Sequence, residues 1–187
     1  MTENMAEQWQ LAVSTVSTEF SALPAHLRQQ VAELTHDIRL LKEEMGRLST
    51  SANVAENCLE CAGECCRFGR HHFSVVDLLG YLTVGEPLFT PDFAAPVCPY
   101  IGADGCFMAA AFRPLNCVIF LCEPIHDRLT EDVRRSLEKS EQSLRQKYRE
   151  LERILNNRFA NGLLITFERA TAGGNSRILN VKHPGAV

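Results

Sequence analysis

The apolar positions in the first third of the chain fall on a helical period. From Leu27 they run Leu27, Val31, Leu34, Ile38, Leu41, Met45 and Leu48, in alternating steps of four and three residues. That is the a/d repeat of a helix that packs along a seam. Upstream, Trp9, Val13, Val16 and Phe20 recur at helical spacing, and Pro24 stands where it would end one helix or open the next. Two helices with a bend between Ser21 and Pro24 are predicted. The polar run from Ser49 to Asn53 should stop the second.

A second stripe begins after Cys122. Thr130 offers an N-cap hydroxyl ahead of the first-turn carboxylates Glu131 and Asp132, and Val133, Leu137, Leu144, Tyr148, Leu151 and Leu155 carry the pattern to Asn156-Asn157. Packed on the Leu27 to Leu48 helix, this helix would close a bundle. The same heptads would serve a homodimer, because periodicity does not say which helix fills a seam. Further on, two apolar runs, Leu163 to Phe167 and Ile178 to Val181, flank Thr171-Ala172-Gly173-Gly174-Asn175 and suggest a small β-hairpin, with a loose tail from His183 to Val187. The expected fold class is mostly α. Long helices at both ends (1–52 and 129–187) frame an irregular cysteine-rich module over 53–128.

Inside that module the pattern turns from periodic to chemical. All eight cysteines of the chain lie there: Cys58, Cys61, Cys65, Cys66, Cys98, Cys106, Cys117 and Cys122. Thiolates are soft donors suited to zinc, copper(I) or iron–sulfur clusters, and a C-x-x-C pair such as Cys58 and Cys61 can present two of them to one metal. Eight is twice the four thiolates that a cubane cluster or a structural zinc takes, so one or two centres are allowed. The adjacent Cys65 and Cys66 point apart in regular structure and reach one small centre only through an irregular turn. Nine of the fourteen aromatics fall between Phe68 and Phe120, which supplies bulk to exclude water from the ligands. A thiolate site is anionic, and Arg67, Arg70, His71, His72 and Arg113 are placed in sequence to offset it. The histidines read as neighbours of the site rather than ligands. Gly102 and Gly105 predict a tight turn that draws Cys98 and Cys106 together.

Composition narrows the chemistry further. With 187 residues, 19 basic and 23 acidic side chains, net charge −4 and pI near 5.9, the chain lacks the basic footprint of a nucleic-acid binder. Met1 to Gln10 has no cationic start and apolar run of a secretory signal, and no stretch reaches the ~18 apolar residues of a membrane span. The expected setting is cytoplasmic. Disulfides are rare there, which favours metal ligation for the cysteines.

The string C-x-x-C-x-x-x-C-C from Cys58 to Cys66, then Cys98-Pro99-Tyr100-Ile101 with Gly105-Cys106, then Arg113-Pro114 ahead of Cys117 and finally Cys122 resembles the YkgJ-type cysteine-cluster family of zinc- or iron-chelating proteins. Flagellin lysine methylases carry a similar cluster. The resemblance covers roughly a third of the chain. It implies a cytoplasmic bacterial metal-binding domain with the eight cysteines as ligands. Arg113 has a supporting role, either bonding sulfur or bracing the loop that delivers Cys117, and Arg67 sits beside the site. The leading expectation is one or two iron–sulfur clusters used for redox work or sensing. The alternatives are a structural zinc module that binds a protein partner not identified by sequence, or an accessory of protein modification. The chain carries no G-x-G-x-x-G or P-loop and no acid/base pair or activated nucleophile, so whether it is an enzyme stays open.

Overall fold

The computed structural model describes residues 2–52, 54, 64–102, 105–174 and 177–180. Over these residues the chain is mostly helical. Helix α1 spans Thr2–Ser21, α2 Ala25–Ser49, α3 Val75–Leu82, α4 Leu115–Ile119, α5 Glu123–Arg128, α6 Glu131–Ile154 and α7 Leu163–Ala172, with 3-10 turns at Thr50–Ala52, Glu64–His71 and Ala110–Phe112. A two-stranded antiparallel ladder joins β1 (Ile101–Gly102) to β2 (Gly105–Cys106), pairing Ile101 with Cys106 and Gly102 with Gly105. None of the helices among the described residues is long and apolar enough to cross a membrane.

The bend between α1 and α2 follows from Pro24. Its backbone is extended (φ −52°, ψ 145°), and its carbonyl accepts from the amides of Leu27 and Arg28, each at 3.0 Å. At the other end of the chain, Thr130 caps α6 by accepting from the Val133 amide at 3.4 Å. Helix α6 then lies along α2, where Lys147 Nζ reaches Asp37 Oδ2 at 2.8 Å.

The buried face of α2 is not the heptad seam alone. Val31, Ile38 and Met45 from that seam are buried, but so are Thr35, Lys42 and Ser49, whereas Leu27, Leu34, Leu41 and Leu48 are only half-buried. A two-stranded seam touches one partner. Helix α2 is instead covered by α6, by α3 and by the Ala110–Phe112 turn, so its contact surface is wider and rotated. The small polar residues on that face are satisfied locally. Thr35 Oγ1 bonds the Val31 carbonyl at 2.9 Å and Ser49 Oγ that of Met45 at 2.9 Å. Close approach at the same face needs Gly46, because a Cβ there would stand 2.7 Å from that of Ala110.

Lys42 is the exception that organises the interior. Its ammonium meets Asp77 Oδ1 at 2.7 Å, with the two side chains 2% and 0% exposed. Asp77 comes from α3, whose start is a reciprocal capping box: Ser74 N donates to Asp77 Oδ2 at 2.8 Å, and the Asp77 amide donates to Ser74 Oγ at 3.4 Å. Ser74 Oγ also donates to Oδ2 at 2.6 Å, and Tyr148 OH of α6 donates to Oδ1 at 2.9 Å. One carboxylate thereby ties α2, α3 and α6 together.

A second cluster joins α1 to the cysteine module. The Trp9 ring lies 5.0 Å from that of Phe73, 5.9 Å from Phe89, 6.0 Å from Phe93 and 6.4 Å from Tyr100. The three sequence zones accordingly share one apolar core.

The C-terminal β-hairpin expected from Leu163 to Phe167 and Ile178 to Val181 does not form. Leu163 to Phe167 opens α7, with Leu163 and Thr166 buried on one face. A short apolar run suits a buried helix as well as a strand, and the choice was made by packing: the Leu163 amide donates to the Phe73 carbonyl at 2.6 Å, and Gly173 and Gly174 close the helix. The backbone of the later run is satisfied without a strand partner. The amides of Ile178 and Leu179 donate to the Glu19 carboxylate of α1 at 3.0 and 2.6 Å. Val181 and the expected tail from His183 to Val187 lie outside the described residues.

Replacing Lys42 with Met leaves a buried carboxylate without its cation and is expected to cost about 3–5 kcal/mol by urea denaturation. Adding Asp77→Asn should restore part of that loss, since no unpaired charge then remains inside.

Candidate metal centre

The cysteines whose side chains are described arrive on four different elements. Cys66 sits on the Glu64–His71 turn, Cys98 ahead of the β1–β2 hairpin, Cys106 on β2 and Cys117 on α4, while Cys122 forms the N-cap of α5. Cys58 and Cys61 lie outside the described residues, as does the side chain of Cys65.

Local geometry brings several of these together. The turn bearing Cys66 presses on Cys98 through Gly69, where a Cβ would stand 2.6 Å from Cys98 Sγ. Glycine is required there because the backbone itself forms the contact. Cys98 is 5% exposed, and its carbonyl accepts from the Ile101 amide at 3.3 Å, starting the turn. The Tyr100 carbonyl accepts from Phe107 at 3.2 Å, which extends the hairpin beyond Cys106. This is the tight turn that Gly102 and Gly105 suggested, with Asp104 outside the described residues.

Cys117 is delivered by a proline-started helix: Pro114 is extended (φ −53°, ψ 149°), and its carbonyl accepts the Cys117 amide at 2.9 Å. Arg113 braces the preceding loop, with Nε donating to the Met108 carbonyl at 3.1 Å. Arg67 is exposed. His72 Nδ1 stands 3.4 Å from Cys117 Sγ. His71 is exposed.

Although Cys117 is exposed as a whole residue, its thiol is held far above the usual range. The first cause is desolvation of the sulfur, followed by the negative charge that Cys106, Cys98, Asp77 and Cys66 place around it. The charges of Cys106, Cys98 and Cys66 thus bear on Cys117. His72 is lowered from its ordinary value, chiefly by burial and then by His71, with Asp77 opposing. A cysteine touching a histidine suggests a nucleophile and its base. The raised thiol argues against it, because the reactive form is the thiolate.

Cys122 stands at a different edge. The sulfurs acting on Cys117 do not include it, and α5 packs beside the Thr50–Ala52 turn, where the chain leaves α2 toward Cys58. Among the described residues, no three His, Cys, Asp or Glu side chains are grouped closely enough to hold a metal ion by themselves.

Two features beside the sulfurs were not singled out by sequence reasoning. One is the Lys42–Asp77–Tyr148 cluster, whose legible trace is Ser74-x-x-Asp77, a capping box with a lone acid inside an apolar run. The other is Tyr100, one aromatic among many in the sequence. An open cleft of about 150 Å³ also adjoins Cys117, walled by His72, Ser74, Asn116, Arg145, Tyr148 and Arg149. Compared with protein-family models, curated proteins and solved structures, the chain matches none of them.

Gly69→Ala should force the Cys66 turn away from Cys98 and cost roughly 1–3 kcal/mol. Gly80→Ala in α3, where a new Cβ meets nothing within 4 Å, should be neutral or gain up to about 1 kcal/mol. Urea denaturation of both variants checks the contrast.

Proposed function

We propose that the chain is a cysteine-cluster metal protein that holds an iron–sulfur cluster for electron transfer or redox sensing. The observation that supports this is that Cys66 of the Glu64–His71 turn and Cys98 and Cys106 at the β1–β2 hairpin place their charges on the thiol of Cys117 in α4. Nothing in apolar packing alone requires sulfurs from distant parts of the chain to meet. A cation bound among them offsets the repulsion and exchanges the thiol protons for metal bonds, which links metal uptake to folding.

The donor set suits the group in kind. Soft sulfur ligands from Cys66, Cys98, Cys106 and Cys117, completed by Cys58, Cys61 and Cys65, match iron–sulfur chemistry, with Cys122 serving a second centre or the rim of the first. When bound, the cluster supplies one-electron redox chemistry. The protein's own contribution is the surrounding shell. Phe73, Phe89 and Tyr100 pack on one another in the core that the cysteine module shares, and His72 touches the sulfur of Cys117.

Protein purified without oxygen should be brown and contain about four iron and four acid-labile sulfides per centre. Colourless protein with about one or two zinc per chain would instead make the module a structural zinc site, and protein free of both metals would sink the proposal. Chelation should lower the melting temperature and loosen the module; an unchanged melting curve after verified metal loss would contradict the link to folding.

A further inference from the structure

The open cleft of about 150 Å³ beside Cys117 collects hydrogen-bond donors that have no acceptor. Arg145 and Arg149 stand one turn apart on α6, Asn116 lies in the first turn of α4, and His72 comes from the segment just before α3. Among the described residues the Arg149 guanidinium has no ion-pair or hydrogen-bond partner, and neither has the side-chain amide of Asn116. Arg145 engages only Nε, with Glu141 Oε1 at 2.7 Å, which leaves its two terminal nitrogens open. His72 turns Nδ1 to the Cys117 sulfur at 3.4 Å, so only Nε2 remains to it. Donors that converge from three parts of the chain without a protein acceptor suit an oxyanion.

The floor of the cleft is fixed and adds no donor. Ser74 and Tyr148 give their hydroxyl protons to Asp77, at 2.6 and 2.9 Å, and the Lys42 ammonium at 2.7 Å neutralises that carboxylate. An anion in the cleft therefore meets no bare charge from below.

One acceptor does line the cleft. Glu152 accepts the Phe159 amide on Oε1 at 2.7 Å, and its Oε2 is unengaged among the described residues. A carboxylate in that place repels an anion with no proton to give, such as sulfate, but accepts a hydrogen bond from an anion that keeps one. Inorganic phosphate keeps a proton at neutral pH, whereas a phosphomonoester, with its second pKa near ~6, has largely lost it. The cleft is also well below the ~300 Å³ at which sites for larger organic ligands begin.

We propose that this cleft is a binding site for hydrogen phosphate, with Arg149, Arg145 and Asn116 donating to its oxygens and Glu152 accepting its proton. The site does not rest on the metal-protein reading, since none of these side chains is a proposed ligand.

The test titrates inorganic phosphate, sulfate and glycerol phosphate into the full chain by calorimetry, at neutral pH and constant ionic strength. Wild type is compared with Arg149→Gln, Glu152→Gln and Arg135→Gln; the last removes the same charge from α6 at its pair with Asp132, away from the cleft. Arg149 and Arg135 are exposed, and equal melting temperatures verify that the variants fold. The expected result is one phosphate per chain, bound roughly 10- to 100-fold more weakly by Arg149→Gln and unchanged by Arg135→Gln, with sulfate and glycerol phosphate at least ~10-fold weaker on wild type. Glu152→Gln, which keeps an oxygen for the Phe159 amide, should narrow the gap between phosphate and sulfate. Wild type that binds no phosphate saturably, or equal losses in Arg149→Gln and Arg135→Gln, would overturn the site. Sulfate or glycerol phosphate bound by wild type as tightly as phosphate would overturn the role of Glu152 and the assignment to hydrogen phosphate. Metal content is measured separately, so failure of the iron–sulfur reading would be seen independently of either result.

Discussion

A carboxylate removed from water must be given back its solvation by the protein, and Asp77 is fully removed. Its two oxygens take the Lys42 ammonium, the Tyr148 phenol, the Ser74 hydroxyl and the Ser74 amide. These groups come from α2, from the turn before α3 and from α6, while Asp77 itself stands on α3, so the helices can approach only in the arrangement that lets all of them reach one side chain. Buried ion pairs add little net stability against an apolar replacement, but losing one partner is costly. The pair therefore acts mainly as a register pin: a slide of α6 along α2 would strand a charge. Apolar faces alone tolerate such slides far better.

The same carboxylate reaches into the chemistry. Its charge acts on Cys117, Tyr100, Tyr81 and His72 as well as on Tyr148. Lys42 neutralises it at contact distance, leaving the sulfur group with a nearby dipole in place of a bare anion. The aromatic layer of Trp9, Phe73, Phe89 and Tyr100 lies between α1 and the hairpin that carries Cys106. A low-dielectric wall of this kind makes every charge inside it count for more. Burial and the neighbouring charges raise the cost of ionising the thiol of Cys117 in such a place.

Much of the site was legible before any fold was known, because cysteine spacing and residue type are chemical facts that need no tertiary context. The turn between Cys98 and Cys106 followed from two glycines, whereas Cys117, expected on a loop, stands on the short helix that follows Pro114. What was not legible was how the pieces meet. Gly69 reads as an ordinary glycine until Cys98 Sγ is seen against it. Tyr100 was one of many aromatics until its hydroxyl proved to be buried with no acceptor among the described residues. Lys42 reads as a solvent-facing residue beside an apolar stripe until Asp77, distant in sequence, is found at 2.7 Å.

The long helices α1, α2 and α6 were determined by the sequence by itself, since caps, prolines and period-3.6 stripes act within a few residues of one another: Pro24 starts α2 and Thr130 starts α6 wherever those helices pack. Tertiary structure alone decided three other things. It widened the buried face of α2 from the heptad seam to include Thr35, Lys42 and Ser49, because a helix covered by several neighbours buries more than one stripe. It turned the apolar run from Leu163 into a helix that opens with the Leu163 amide on the Phe73 carbonyl, while the amides of Ile178 and Leu179 went to Glu19 of α1. It also brought Cys66, Cys98 and Cys106 near enough to Cys117 for their charges to bear on its thiol, because the approach of residues far apart in the chain depends on the closure of the whole core, which no local pattern encodes.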